Sequence, residues 1–208
     1  FCPNKMADGQ KLTKLRELKK KMREDMNLPL RKSATNLVFG EGSSDAKLFF
    51  LGEGPGYYED QTGRPFVGNA GALLNQLLYS VKLPREEVFI TNVICYRPPE
   101  NRDPLPEEIE AFEPYIDEMI DIIKPKAVVT LGRFSMAKFI PGVKITVVHG
   151  KPHGVDWKGR KLTVVPMFHP AAALRAGEVL RQIKEDFLKL PEIVKEPEKI
   201  EVKQMNLI

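Results

Sequence analysis

Apolar positions recur along this chain in two alternating rhythms. Leu12, Leu15, Leu18, Met22 and Met26 fall at helical spacing among charged neighbours, which predicts an amphipathic helix over residues 12–26 that ends before Pro29. A polar stretch over residues 33–45 leads into short apolar runs at 47–51, 88–94, 127–131 and 162–168, each the length of a buried strand. Between these runs the period lengthens. Leu73, Leu74, Leu77, Leu78 and Val81 make one helical stripe, and Ile109, Phe112, Ile116, Met119, Ile120 and Ile123 make another. Strands that alternate with helices predict an α/β class with a mostly parallel sheet covered on both faces. Residues 145–165 have hairpin character around His149-Gly150 and Lys158-Gly159, an excursion before the last strand. The tail after Pro191 alternates Lys and Glu without an apolar face and is expected to be mobile. The organisation expected is a basic N-terminal helix and lead-in over 1–35, one α/β domain over 36–190 and a tail over 191–208.

Composition changes this picture little. The 208 residues, 42% of them apolar, suit one globular domain with tails. Lys and Arg outnumber Asp and Glu by 32 to 28, an excess of +4 that permits a polyanionic partner without requiring one. The excess is local: between Lys11 and Lys32 nine basic residues face Glu17, Glu24 and Asp25, so the N-terminal helix is a basic arm. Cys2 and Cys95 cannot make a disulfide framework, and C-x-x-C is missing. That predicts an intracellular, cytoplasmic location, in reach of the nucleoid if the partner is DNA. No apolar run nears about 18 residues, so neither export nor a membrane span is expected.

In a parallel α/β sheet, ligands bind beyond the carboxyl ends of the strands. Three predicted strand ends carry unusual residues: Gly52-Glu53-Gly54-Pro55-Gly56, then Asn92, then Phe168-His169-Pro170. They are expected to meet in one crevice. The glycine-rich turn lacks the Lys-Ser/Thr of a nucleotide-triphosphate loop and fits no G-x-G-x-x-G spacing. What remains is close backbone approach with a carboxylate, Glu53, which could act as a general base or bond loop amides.

These motifs, together with Thr62-Gly63-Arg64-Pro65-Phe66-Val67-Gly68, Thr91-Asn92 and Arg97-Pro98-Pro99, resemble the family 4 uracil-DNA glycosylases in order and spacing. The match runs from about Asn36 to about Arg175. One such motif arises by chance; five in register do not. The resemblance implies a three-layer αβα sandwich with a central four-stranded parallel sheet, and hydrolysis of the uracil N-glycosidic bond in DNA. The expected partner is uracil-containing DNA, with no membrane, bound by a monomer.

The chemistry of that reaction can be set against the residues directly. Uracil leaves as an anion with charge on O2 and O4, which calls for a preorganised donor, and His169 can supply it; the alternative is a histidine packed in a turn by Pro170. Telling uracil from cytosine needs an acceptor for N3–H and a donor for O4, which one fixed carboxamide offers. Asn92 fits, or it caps a loop. A flipped base needs a flat partner, and Phe66 matches the family's stacking phenylalanine, though a Phe between Pro and Val can equally be core. Glu53 would orient or deprotonate the water that attacks C1′. Gly54 is placed against the base. The resemblance gives Glu59 the space beside uracil C5, where it refuses the thymine methyl; a solvated acid next to Asp60 is the alternative. Arg64 and Arg175 are the expected DNA contacts. Leu174 is the candidate wedge into the stack, unless Ala171-Ala172-Ala173 begin a helix that buries it.

Two departures from the family matter. Its members hold a [4Fe-4S] cluster on four cysteines, whose places here fall on Asp25, Leu28, Tyr96 and Phe112. No metal and no cluster are therefore expected, with apolar packing as the staple of the N-terminal segment, and Cys95 reads as a packed core cysteine. Relatives that capture DNA covalently carry a histidine-containing insertion after GRPFVG; Asn69-Ala70-Gly71-Ala72-Leu73 stands there, so hydrolysis is expected. The competing readings are a glycosylase that also takes deaminated purines or mismatched bases, and a DNA-binding module without catalysis. A pure binder has no use for Glu53, Asn92 and His169 together.

Overall fold

A computed structural model describes residues 4–195. The chain opens with helix α1 (Asn4–Glu24), then forms strands β1 (Glu41–Gly42) and β2 (Leu48–Gly52), helices α2 (Tyr57–Thr62) and α3 (Asn69–Ser80), and strand β3 (Phe89–Asn92). Helix α4 (Pro106–Ile123), strand β4 (Ala127–Leu131) and helices α5 (Arg133–Ala137) and α6 (Ile145–Val148) follow. The hairpin β5 (His153–Trp157) and β6 (Arg160–Met167) leads to helices α7 (Pro170–Ala173), α8 (Gly177–Phe187) and α9 (Leu190–Val194).

The sheet runs β1-β3-β2-β4-β6-β5. The four parallel strands expected from the apolar runs form its centre, with Phe49 beside Phe89 and Val128 and with Val128 beside Val164. The sheet is wider than expected, with six strands. β1 adds antiparallel to β3 and β5 antiparallel to β6, and neither edge strand carries the continuous apolar run of a doubly covered strand.

Alternation along each strand splits the core between the two faces. Phe49 and Leu51 of β2 join Val128, Val164, α4 and the buried stripe of α1 in one apolar cluster. Leu48 and Phe50 join Val129, Val165, α3 and α8 in the other. This is the expected three-layer αβα sandwich. Of the α1 stripe, Leu15, Leu18 and Met22 are buried, while Leu12 and Met26 remain exposed. Glu108 fixes the start of α4: its carboxylate accepts the Leu105 N–H at 2.9 Å, and Pro106 occupies the first helical position. Leu190 of α9 is buried, so the tail is anchored at its start; residues 196–208 and Cys2 lie outside the described residues.

The order of the strands locates the site. From β2 the chain moves to β3 on one side, then crosses to β4 on the other, so the carboxyl end of β2 is a topological switch point. Glu53 follows it directly.

Candidate active site

A crevice of about 380 Å³ opens at those strand ends, lined by Glu53, Gly54, Gly56, Glu59, Phe66 and Asn92, with His169 and Arg175 across from them. The structure thus brings together seven of the residues singled out in the sequence together with Gly56, and adds a wall made of Pro98, from the Arg97-Pro98-Pro99 motif, and the segment 101–104, to which the sequence assigned no role.

Asn92 ends β3 with its side chain buried, and its Oδ1 finds no hydrogen-bond partner among the described residues. A buried amide oxygen left unpaired costs roughly 1–3 kcal/mol, so such an atom facing a crevice marks a place where a ligand donor belongs. Gly52 is what allows this: a Cβ there would run into both Asn92 Oδ1 and the Phe66 ring.

Phe66 holds a left-handed backbone, φ +51°, which is rare outside glycine and costs of order 1 kcal/mol. The neighbouring contacts enforce it. Arg85 Nη2 donates to Pro65 O at 2.6 Å, and the Val67 and Gly68 amides donate to Glu59 Oε1 at 2.8 Å each. The phenyl ring lies 5.6 Å from the His169 ring with planes inclined by 28°.

His169 follows β6 and caps α7: its Nδ1 accepts the Ala171 N–H at 3.1 Å. That bond leaves the proton of the neutral ring on Nε2. Burial pushes its pKa down to about 4, with Arg175 adding to the effect and Glu59 opposing it. At neutral pH the ring is an uncharged Nε2–H donor.

Glu53 is oriented by α5, whose Phe134 N–H donates to Oε1 at 3.1 Å. The carboxylate lies against Gly132, φ +108°, where a side chain would collide with it. Burial raises the Glu53 pKa above its ordinary 4.5, against the lowering pull of the Phe134 amide. Glu59 is more than a solvated acid. Besides the two amides above, its Oε2 accepts the Gly56 N–H at 3.1 Å, so one carboxylate ties the glycine turn to the Phe66 turn. Residue identities carry no sign of this tie, because the partners are backbone groups.

Two expected DNA contacts stand outside the crevice. Arg64 makes a bidentate pair with Glu41, at 2.8 and 3.1 Å, on the β1 edge. Leu174 follows the short helix formed by the alanines but is 51% exposed rather than buried on it. Glu100 and Asn101, φ +54° and +55°, put two more left-handed residues in the loop along the crevice wall. Asp103 on that wall pairs with Arg133.

Three of the four places of the family's cluster cysteines belong to the apolar core on the α1 and α4 face of the sheet, and the fourth, Asp25, lies just after α1. Leu28, Tyr96 and Phe112 are buried in one apolar cluster, with the Tyr96 and Phe112 rings edge to face at 6.1 Å. Tyr96 accepts from Arg31 at 3.1 Å, and Asp25 accepts the Tyr115 hydroxyl at 2.7 Å. Leu and Phe have no donor atom to offer iron, and burial pushes the neighbouring Cys95 thiol up to about 12, far from thiolate. These residues do not fit an iron–sulfur cluster. Among the described residues, no three His, Cys, Asp or Glu side chains group to hold a metal ion, and no helix is long and apolar enough to cross a membrane.

A family model described as the uracil DNA glycosylase superfamily matches residues 39–190. The type-4 uracil-DNA glycosylase of Sulfurisphaera tokodaii is 46% identical, over 79% of this chain and 78% of that protein. The type-4 enzymes of Thermotoga maritima and Archaeoglobus fulgidus are each 43% identical, covering 80% and 79% of this chain and 88% and 85% of their own lengths.

Proposed function

The chain belongs to the uracil DNA glycosylase superfamily, and from that premise we propose how its crevice removes uracil from DNA. The activity is that of a uracil-DNA glycosylase, a hydrolase of base excision repair that leaves an abasic site. The observation that carries the residue assignment is the unpaired Asn92 Oδ1 inside the crevice.

Uracil turned out of the strand enters between Phe66, which stacks on its face, and the Asn92 carboxamide, which accepts N3–H and donates to O4. Gly54 lets the backbone come close to the base. Glu59, fixed by three amides, stands beside C5 and leaves no room for a thymine methyl. The C1′–N1 bond breaks with its electron pair moving onto the base, and the neutral His169 Nε2–H stabilises the charge gathering on O2. Because the ring is uncharged, it donates without handing its proton to the leaving anion. Glu53 orients the water whose oxygen bonds to C1′ and takes up its proton. Arg175 holds a backbone phosphate, Arg64 another on exchange from Glu41, and the exposed Leu174 fills the gap in the stack.

The N-terminal staple is apolar and aromatic, and the enzyme works without an iron–sulfur cluster. The substrate is uracil-containing DNA, met by a monomer at the nucleoid.

Purified protein incubated with oligonucleotides that carry uracil, hypoxanthine or a mismatched thymine, followed by alkaline cleavage of abasic sites, tests the reading. Cleavage at uracil alone is expected. Comparable cleavage at hypoxanthine would favour the broader glycosylase, and no cleavage would return the chain to a binding module.

A further inference from the structure

Two large aromatic side chains lie exposed at the crevice rim. Tyr57 and Tyr58 begin α2 directly after Gly56 and are 52% and 62% exposed, with their rings edge to face at 5.5 Å. The Arg97 guanidinium lies over the Tyr57 ring, 5.3 Å from its centre, and its Nε donates to Asn101 Oδ1 at 2.7 Å. Gly56, Pro98 and Asn101 all line the crevice, so Tyr57 and Arg97 each sit one residue outside it on facing loops. Among the described residues, no carboxylate lies within ion-pair distance of Arg97.

We propose that Tyr57, propped by Arg97, is a stacking platform for a base that flanks the extruded uracil in a single strand. The inference rests on the crevice being the uracil site. A base next to the one in the crevice is one backbone step away and must cross its rim. An exposed ring there recovers stacking that the neighbour loses when uracil leaves, and it does so for any base, because every base has a π-face. Arg97 holds the ring at a fixed attitude and adds positive charge beside the strand. The hydrogen bond to Asn101 keeps the guanidinium from following solvent. A duplex denies that flanking base to the platform, so the contribution belongs to single strands.

The test uses the whole protein and a short single strand with one 2′-fluorinated deoxyuridine, which resists hydrolysis, read by fluorescence anisotropy. Tyr57→Ala is expected to weaken binding about tenfold, the order expected for one lost base stack, whereas Tyr57→Phe keeps the wild-type affinity. The slope of log K against log salt should stay the same in both, since no phosphate contact is lost. Replacing the flanking nucleotides by abasic spacers should weaken the wild type and leave Tyr57→Ala unaffected. In single-turnover assays on the ordinary uracil strand, the loss should fall on the half-saturating DNA concentration and not on the saturated rate. Equal affinity of Tyr57→Ala and wild type, or equal losses from Ala and Phe, would overturn the platform. Failure of the wild type to release uracil would overturn the site reading instead, whatever the anisotropy shows.

Discussion

The loop that joins β3 to α4 serves two regions of opposite character. At its start Asn92, the last residue of β3, enters the crevice; Tyr96, a few residues on, enters the N-terminal staple. In the crevice an amide oxygen is buried without a partner, Phe66 holds φ +51°, the Glu53 pKa is raised and the His169 pKa is pushed down to about 4. In the staple Leu28 and Phe112 are buried among apolar neighbours, Tyr96 has Arg31, and Asp25 has Tyr115. The difference separates what is kept ready for a ligand from what holds the chain together. Unsatisfied and strained groups persist only where the surroundings over-determine them, and at Phe66 the Arg85 bond to Pro65 and the Glu59 bonds to the following amides do so.

The most severe way to break this comparison is to empty the staple. Phe112→Ala should cost roughly 3–5 kcal/mol, the usual cost of deleting a fully buried phenylalanine, and appear as a large fall in Tm. Uracil should still be preferred over thymine, because no crevice group is touched. Prolonged treatment with an iron chelator should change neither Tm nor excision rate, and the native protein should show no visible thiolate-to-iron absorption. Stoichiometric iron and sulfide would show that the staple has been misassigned.

Slightly smaller in energy, and opposite in kind, are changes within the crevice. His169→Ala and Asn92→Ala should each slow single-turnover excision about a hundredfold or more, roughly 2.7 kcal/mol or above, with little loss of DNA affinity. Asn92→Ala should also leave Tm unchanged or raise it, since it removes an unpaired buried oxygen. A near-normal rate in both variants would take these residues out of the site.

A pH profile sharpens the contrast further. If ionised Glu53 is needed, excision should rise with pH through a limb above the ordinary carboxyl value of 4.5, because burial raises its pKa. Glu53→Gln should remove the limb along with most of the rate. His169 acts on stability in a separate window. Its folded pKa of about 4 lies below the ordinary 6.5, so the unfolded chain takes the proton first, and stability falls as pH drops from 6.5 through about 4. His169→Ala should flatten that part of the stability curve, and an unchanged curve would mean the ring is not held neutral.

Much of this was legible in the sequence wherever a period or a motif carried it. The apolar runs marked the four central strands, and the residues at their ends met in one crevice, because strand ends in a parallel sheet face the same way. The edge strand β1 escaped, since Glu41-Gly42 carries no buried run, whereas β5 was foreshadowed by the hairpin expected around Lys158-Gly159, where it turns into β6. Glu59's role as a three-amide tie escaped because backbone partners leave no trace in residue identity. Arg64 reads as a DNA contact from its motif, yet its fixed partner, Glu41, is distant in sequence and lies on an edge strand the pattern did not predict.

The smallest expected effect concerns charge, and it distinguishes the crevice from the outer face of the staple. α1 is the most basic segment, but Lys14, Lys19 and Lys20 do not line the crevice; the helix packs on α4, across the sheet from α3 and α8. Of the arginines that do line it, Arg102 is held by Glu108 at 2.6 and 2.9 Å, while among the described residues no carboxylate lies within ion-pair distance of Arg175. Lining the crevice and free of a carboxylate, Arg175 has its charge available to a phosphate, whereas Arg97, outside the lining, is engaged with the Tyr57 ring and Asn101. Arg175→Ala should therefore lower the slope of log K against log salt by about 0.9, one phosphate contact on duplex DNA, while the triple alanine variant of Lys14, Lys19 and Lys20 leaves that slope unchanged. The opposite result would move the DNA path from the strand ends onto α1. It would then run beside the staple, and the separation between the two regions would fail.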